Sequence, residues 1–558
     1  MLVGIDVGGT FTDGVLYQDG KIIKAVKSQT RNDNLEKSIL NVLDSLLQGR
    51  KGSDITRVAL STTLVTNILA TGGGDKVALI LIPGPGLNLR QLQFFPNSYI
   101  ISGATDFRGR ITEELDKTQV KKAGEQIARS GIQKVAVVGK FSQRNKCQEC
   151  QVENILHEQY PQLQVIKGFD VSGQLNFLRR IVTTYYTAVT QEAWAKFATS
   201  IEKAIRARSI NCTINILKAD GGTMPLEVSR RHPCETIFSG PAASVMGAFA
   251  LTMDQQTSIV IDIGGTTTDL ALILAGKPLS AARGAVMGGH YSHVQSFATR
   301  SLALGGDSAL RRTGKEVTIG PERLGPAACF GGPVATTTDA VNFLNGGKLG
   351  QLSLSSQALA KIARPAGLTI AALAQGVIEQ VSDKLEAGIK DMFTSWEQEP
   401  AYKIWEIINR RKVKADRIVG IGAAAKAFVP ILAKRLGCQV LINPYAPVAN
   451  ALGAAVSRPT LSLLVHADTQ QRSYHLNLDS ISSNCDPNLR LEDVKELARK
   501  HLQKIAAQRG IGQYSDLYTF FLEEQFNIIR GWSTLGKLYD VGIQIAPGVI
   551  DDFKGVQS

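Results

Sequence analysis

The sequence predicts an α/β protein of two duplicated halves with a C-terminal α+β appendage. Three observations lead there. An apolar strand that runs into a D-x-G-G-T turn occurs twice, far apart in the chain. Strand-like and helix-like stretches alternate after each copy, the pattern of α/β folds. The chain has 53 Gly among 558 residues but only 6% aromatics, which favours many tight turns over an aromatic-rich all-β protein. Hydrophobic residues are 44% and charged residues 20%, ordinary globular values that exclude disorder and collagen-like repeats. The length suggests about three or four domains.

The first copy reads Leu2-Val3-Gly4-Ile5-Asp6-Val7-Gly8-Gly9-Thr10-Phe11-Thr12-Asp13, and the second Ile259-Val260-Ile261-Asp262-Ile263-Gly264-Gly265-Thr266-Thr267-Thr268-Asp269. Each is followed by a second apolar strand. Solenoids repeat every 20–50 residues, so a repeat this distant implies duplicated domains. Strands are expected at 57–60, 77–82, 134–138, 163–167, 214–217 and 417–421. Helices are expected at 117–129, 425–436 and, as a long connector, 179–205. Residues 491–507 form an amphipathic helix, with Val494, Leu497, Ala498, Leu502 and Ile505 on one face and Gly510 after its end. The expected division is residues 1–178, 179–459 and an appendage over 460–558.

A formal charge of +13 invites a nucleic-acid reading, but the basic residues are scattered and no block of like charge stands out. No nucleic-acid partner is expected. Seven Cys, odd in number and sparse, argue against a disulfide framework. The chain opens on a strand and a turn rather than a signal peptide. No apolar run reaches 18 residues; the nearest is broken by Lys426 and Pro430. A cytoplasmic protein with no membrane association is expected.

The turn chemistry suits phosphate. Glycines permit tight backbone angles and let N–H groups approach an anion, and threonine hydroxyls add donors. An Asp at the strand end can hold Mg²⁺ through water or orient an attacking group. One such turn is a common hairpin; two copies sharing the pattern point to phosphate binding. The pair resembles the actin-like ATPase superfold of acetate and sugar kinases, heat-shock chaperones and actin, where two hairpins clamp the nucleotide phosphates. Leu304-Gly305-Gly306-Asp307-Ser308 resembles the turn that opens a helix in the chaperone-type members. Gly420-Ile421-Gly422-Ala423 lies where the superfold keeps its adenosine motif.

Further stretches resemble the hydantoinase/oxoprolinase family, in family order over about residues 1–460. They are the opening G-I-D-V-G-G-T-F-T-D, Ser61-Thr62-Thr63-Leu64-Val65-Thr66-Asn67, Ala219-Asp220-Gly221-Gly222, Phe238-Ser239-Gly240-Pro241-Ala242-Ala243, Gly325-Pro326-Ala327-Ala328-Cys329, and Thr338-Asp339-Ala340. Ser61 stands where the family usually has a histidine, and the adenosine turn is alanine-rich. These departures bear on the substrate more than on ATP.

The resemblance implies an ATP-dependent hydrolase that phosphorylates an amide or carbonyl oxygen of a small cyclic amide or related substrate before hydrolysis or carboxylation. It implies ATP and Mg²⁺ as cofactors, a small-molecule substrate, an oligomer, and room for a second subunit of the hydantoinase B type. Gly8, Gly9, Thr10, Thr12, Gly264, Gly265, Thr266, Gly305, Gly306, Gly420, Gly422 and Ala423 are then the nucleotide contacts. Thr63, Thr66, Asn67, Arg179 and Thr183 face the substrate, although Thr66 and Asn67 could equally cap a helix beginning there. Asp6 and Asp262 are the catalytic and metal-holding pair, Mg²⁺ being bound through water. Asp6 is favoured for orienting the attacking group and Asp262 for the metal, with the reverse left open. Asp13 and Asp269 should brace the hairpins by bonding turn N–H groups. Two other classes stay open: a small-molecule kinase, and an ATP-driven activator of a partner enzyme.

Three features are set aside. Cys147 and Cys150 form a lone C-x-x-C at the start of a helix. His290 and His293 have no further metal ligands nearby in sequence. Cys329 reads as a packed small residue.

Overall fold

The computed structural model describes residues 1–31, 33–88, 95–398, 414–422, 424–479 and 481–556. Leu2–Val7 and Phe11–Gln18 form an antiparallel hairpin with Asp6 opposite Asp13. Lys21–Gln29 extends it on one side. On the other side Arg57–Thr62 pairs parallel with Leu2–Val7, then Ile214–Leu217 parallel and Thr223–Pro225 antiparallel. Leu2–Val7 is buried along its whole length because it is an inner strand covered on both faces, which is why it reads as a continuous apolar run.

The second half repeats this core. Ser258–Ile263 and Thr268–Leu274 form the hairpin, with Asp262 opposite Asp269. Arg417–Ile421 lies parallel on the far side of Ser258–Ile263, followed by Gln439–Leu441. Two sheets with one hairpin-plus-parallel-strand plan are the duplicated actin-like ATPase fold that the sequence predicts.

Three expected strands go elsewhere. Val77–Ile82, Lys134–Gly139 and Gln164–Lys167 join Ser98–Ile100 in a separate, all-parallel sheet. Helices Lys117–Arg129 and Cys147–Gln159 cover it and complete a core of its own. In the first sheet the place beside Arg57–Thr62 is taken by Ile214–Leu217. The first sheet therefore draws strands from both sides of residue 178. By sheet membership the changeover between halves lies between Pro225 and Ser258, later than the 178/179 division read from the sequence.

The connector is a single helix, Phe177–Arg206. Two shorter helices, Ser239–Thr252 and Ala449–Val456, cross at the junction of the halves. Glycines let their backbones meet: a Cβ on Gly453 would lie 2.4 Å from the Ala243 carbonyl oxygen. Ala449–Val456 also lies against Leu2–Val7, so one small-residue helix touches both halves.

The C-terminal region is α+β. Five antiparallel strands (482–484, 473–476, 461–468, 533–545 and 518–530 in spatial order) carry helix Leu491–Gln508. It is not detached. Its core is continuous with Leu2, Val15 and Tyr17 of the first hairpin, and the Tyr17 hydroxyl donates to the Gly555 carbonyl at 2.9 Å. Among the described residues no helix is long and apolar enough to cross a membrane.

Candidate functional site

The two turn aspartates come together at the junction of the halves. Asp6 is 5% exposed near the end of its strand, with Ser61 beside it across the parallel register. Asp262 occupies the matching place in the second half. Asn450, from the crossing helix Ala449–Val456, stands between them. Its amide donates to Asp262 Oδ2 at 2.9 Å, and it also neighbours Asp6. The Ser244 hydroxyl, from the other crossing helix, donates to the same Asp262 oxygen at 2.6 Å. Burial pushes the Asp6 carboxyl up to about 7. The Ser61 hydroxyl opposes this, the charges of Asp13 and Asp262 add to it, and the Asn450 amide opposes it. Asp6 Oδ1 and Asn450 Oδ1 are buried with no hydrogen-bond partner among the described residues.

The two turns are built alike. Gly8 N–H donates to Phe11 O and Gly264 N–H to Thr267 O, both at 3.0 Å. Among the described residues the N–H groups of Gly9, Thr10, Gly265 and Thr266 donate to nothing, so both turns keep the donors an anion needs. Thr12 is fully buried and bonded to the Thr30 hydroxyl at 3.0 Å. Gly422 has φ +81, and a Cβ there would fall 2.5 Å from Asp262 Oδ1, so the adenosine-type turn closes onto the aspartate. Gly420 lies inside its strand against Val429. Ala423 lies outside the described residues.

Two expectations are corrected. Gly305-Gly306 opens a strand, Ser308–Thr313, and not a helix. The turn is laced to the second hairpin instead: Gly306 N–H donates to Gly264 O and Asp307 N–H to Gly265 O. Ser308–Thr313 pairs antiparallel with Glu316–Arg323. Among the described residues Asp13 and Asp269 bond no turn N–H group. Asp13 pairs with Lys27 at 2.7 Å, and Asp269 bonds Ser301 across the sheet. Each meets the residue directly opposite it on the neighbouring strand, Lys27 and Ser301, whose side chain leaves the sheet on the same face.

The five substrate candidates fall into two groups. Thr63, Thr66 and Asn67 begin helix Leu64–Thr71, next to the strand that carries Ser61. Thr66 Oγ1 accepts from Phe238 N–H at 3.2 Å, just before the crossing helix, while Asn67 is exposed and its amide donates to Thr63 Oγ1. Arg179 stacks on Tyr291. Thr183 accepts from His293 N–H at 2.9 Å and lines a cavity of about 90 Å³ with Ser172, Lys218, Asp220 and Thr460. His293 is neutral, its pKa lowered to about 3 by burial, and is held by Ser172 and the Leu175 carbonyl.

Among the described residues no group of three or more His, Cys, Asp or Glu could hold a metal, and Cys147 and Cys150 are free thiols. Burial pushes the Cys329 thiol up to about 12, with the Asp339 charge adding to it. Asp339 itself accepts the N–H groups of Ala328, Cys329 and Thr336, so the G-P-A-A-C and T-D-A motifs meet as a structural knot. Sequence reasoning missed Ser244 and Asn450. Ser244 follows Ser239 by five positions in the S-G-P-A-A helix, a faint signal. Asn450 has no motif around it.

The hydantoinase/oxoprolinase N-terminal region matches residues 2–160, and the hydantoinase/oxoprolinase model matches residues 180–462. Caprolactamase subunit alpha of Pseudomonas jessenii is 24% identical over 79% of this chain and 68% of that protein. The 5-oxoprolinase of Saccharomyces cerevisiae is 23% identical over 88% of this chain and 44% of that protein. The nucleotide-free structure of acetone carboxylase superposes with a TM-score of 0.70 at 19% identity, covering 98% of this chain and 87% of that one. The ATP-dependent caprolactamase of Pseudomonas jessenii gives the same score and identity over 97% and 87%. The chain belongs to the hydantoinase/oxoprolinase family.

Proposed function

We propose that this chain is the ATP-using component of an enzyme acting on a small cyclic amide or related carbonyl compound. ATP is a substrate whose γ-phosphoryl group passes to the amide or carbonyl oxygen before hydrolysis or carboxylation. The observation that carries the reading is the pair Asp6–Asp262 with Asn450 between them, beneath two turns with unengaged N–H groups. The names of the relatives support the substrate class: a caprolactamase, a 5-oxoprolinase and ketone carboxylases.

The residues fit Mg²⁺. The donors are all oxygen, and two of them, Asp6 Oδ1 and Asn450 Oδ1, are buried without partners. Asp6, Asp262 and Asn450 would hold the ion, which would supply positive charge to the phosphates. The protein's own part is positioning and charge complementarity. The N–H groups of Gly9, Thr10, Gly265 and Thr266 receive phosphate oxygens. Ser244 and Asn450 fix the Asp262 carboxylate as an acceptor. Asp6, with fewer donors around it, orients the attacking group. Several relatives are named as subunits, which supports a partner subunit of the hydantoinase B type and an oligomeric enzyme.

The test is phosphate release from ATP, with a lactam panel and with the partner subunit present. Asp6→Asn and Asp262→Asn should each lower turnover about a hundredfold or more while the fold stays intact, the size of a lost general base. Near-normal turnover in both would show the hairpins to be structural. A phosphorylated product without ring opening would make the protein a kinase.

A further inference from the structure

The inserted parallel sheet has a ligand-like crevice of its own. Residues 140–146 leave the end of Lys134–Gly139, an inner strand of that sheet, and lead into helix Cys147–Gln159. In open parallel sheets, ligands settle beyond the carboxyl ends of the strands, and helix N-termini there favour anions. Here the C-terminal sheet closes the crevice from above with His475, Leu476 and Ser482, leaving a pocket of about 240 Å³.

The pocket wall carries Arg144 and Lys146 and, among the described residues, no carboxylate. Arg144 has no ion pair among the described residues, and its Nε is buried without a hydrogen-bond partner. The acids nearest in charge terms are already engaged: Asp468 by Arg108 at 2.7 Å and Asp540 by His466 at 2.8 Å. Burial lowers the Arg144 pKa to about 10, and the charge stays. Facing it, His475 is kept neutral, its pKa lowered to about 4 by burial and then by Arg144. The hydroxyl of Ser142, a residue 4% exposed, has no hydrogen-bond partner among the described residues; it lies beside Glu149, whose carboxylate is taken by the N–H groups of Gly139 and Phe169. The helix starts without a side-chain cap at Lys146, and Asn145 reaches the Cys147 N–H at 3.0 Å. Phe141 sits at φ +62, a strained setting for an aromatic residue, which fixes the loop in this shape.

A partly buried guanidinium with no ion pair and a buried, unpartnered Nε is costly unless a ligand completes it. We propose that this pocket binds the oxyanion of a small phosphorylated or carboxylate-bearing molecule, with Arg144 as the principal contact and Ser142, Lys146 and the helix N-terminus around it. The site is separate from the paired aspartates and does not depend on the activity assigned to them. The planar fork of Arg144 suits either anion bidentately, and Leu476 and Phe169 leave an apolar wall for the rest of the molecule. Because the pocket joins the inserted sheet to the C-terminal sheet, a bound anion ties the two together.

The experiment is calorimetric titration and thermal unfolding of the full chain with sodium phosphate and, separately, sodium acetate, in a HEPES–chloride buffer of fixed ionic strength. Wild type should show saturable binding of at least one of the two; whichever binds tighter names the class. Arg144→Gln should weaken that binding at least tenfold, and Arg144→Lys, which keeps the charge but loses the fork, should fall between. Asp262→Asn should leave it unchanged, separating this site from the hairpins. Without added anion, Arg144→Met should melt no lower than wild type, because it removes an uncompensated buried charge. Wild-type affinity in Arg144→Gln, or no binding of either anion to wild type, would overturn the proposal. So would an Arg144→Met that melts lower with anion affinity unchanged.

Discussion

Lys27 keeps the first hairpin from carrying a stranded charge. Asp13 is 8% exposed, and burial raises its pKa even though Lys27 lies 2.7 Å away. Removing one partner of such a pair costs more than removing both. Lys27→Met should therefore destabilise the protein by about 1–3 kcal/mol at neutral pH, and adding Asp13→Asn should restore most of it. The sign with pH follows from linkage. The native Asp13 then holds its proton to higher pH than the unfolded one, so the Lys27→Met defect should shrink as pH falls. Chemical denaturation of the two variants across pH 5–8 checks this. His293 works in the opposite direction. Its folded pKa, about 3, lies below the ordinary histidine value of 6.5. Stability present above that value is lost as pH falls, because only the unfolded chain takes up the proton. His293→Gln should make the fall in stability between about pH 6.5 and 4 shallower by up to one proton. An unchanged slope would show that His293 titrates normally in the fold.

At the scale of elements, the crossing helices decide whether Asn450 reaches the aspartates. Ser239–Thr252 and Ala449–Val456 meet backbone to backbone at Gly247 and Gly453. Gly453→Ala places a methyl 2.4 Å from Ala243 O and 2.5 Å from Gly247 N, so the helices must part. A loss of about 1–3 kcal/mol is expected, the usual cost of overpacking. Turnover should fall as well, because Asn450 rides on the displaced helix. Circular dichroism melts and phosphate release measured on the same preparation give both numbers. If stability drops while turnover holds, Asn450 is not needed between the carboxylates.

For the whole molecule, the nucleotide is expected to lie where the halves meet, so binding should be felt as global stability. At 100 times its Kd, a ligand specific to the native state stabilises by about 2.7 kcal/mol. A thermal-shift titration with Mg·ATP should show a saturating rise that Asp6→Asn reduces. A flat response at millimolar nucleotide would count against the cleft. The C-terminal sheet should melt with the rest, since Tyr17, Leu2 and Val15 share its core, and a single transition by two probes would show it.

The duplicated hairpins, the connector helix and the C-terminal helix are legible in the chain alone. Each is written locally, as an apolar run, a glycine turn or a helical period, and local patterns survive without knowledge of neighbours. The chain also placed Asp6 and Asp262, because a repeated motif marks equivalent positions in both halves. Their surroundings come from segments distant in the chain that folding brings together. Asn450 lies 188 residues from Asp262 along the chain, and its helix is apolar and small because it is buried on every side, so nothing in its spacing announces a functional group. The same holds for the inserted sheet. Val77–Ile82 and Lys134–Gly139 read as strands wherever they pair, and strand pairing is settled by which edge is free. The partners of Asp13 and Asp269 and the strand after Gly305-Gly306 were hidden for that reason too: each depends on a neighbouring strand, and a sequence names its own residues but not the ones across the sheet.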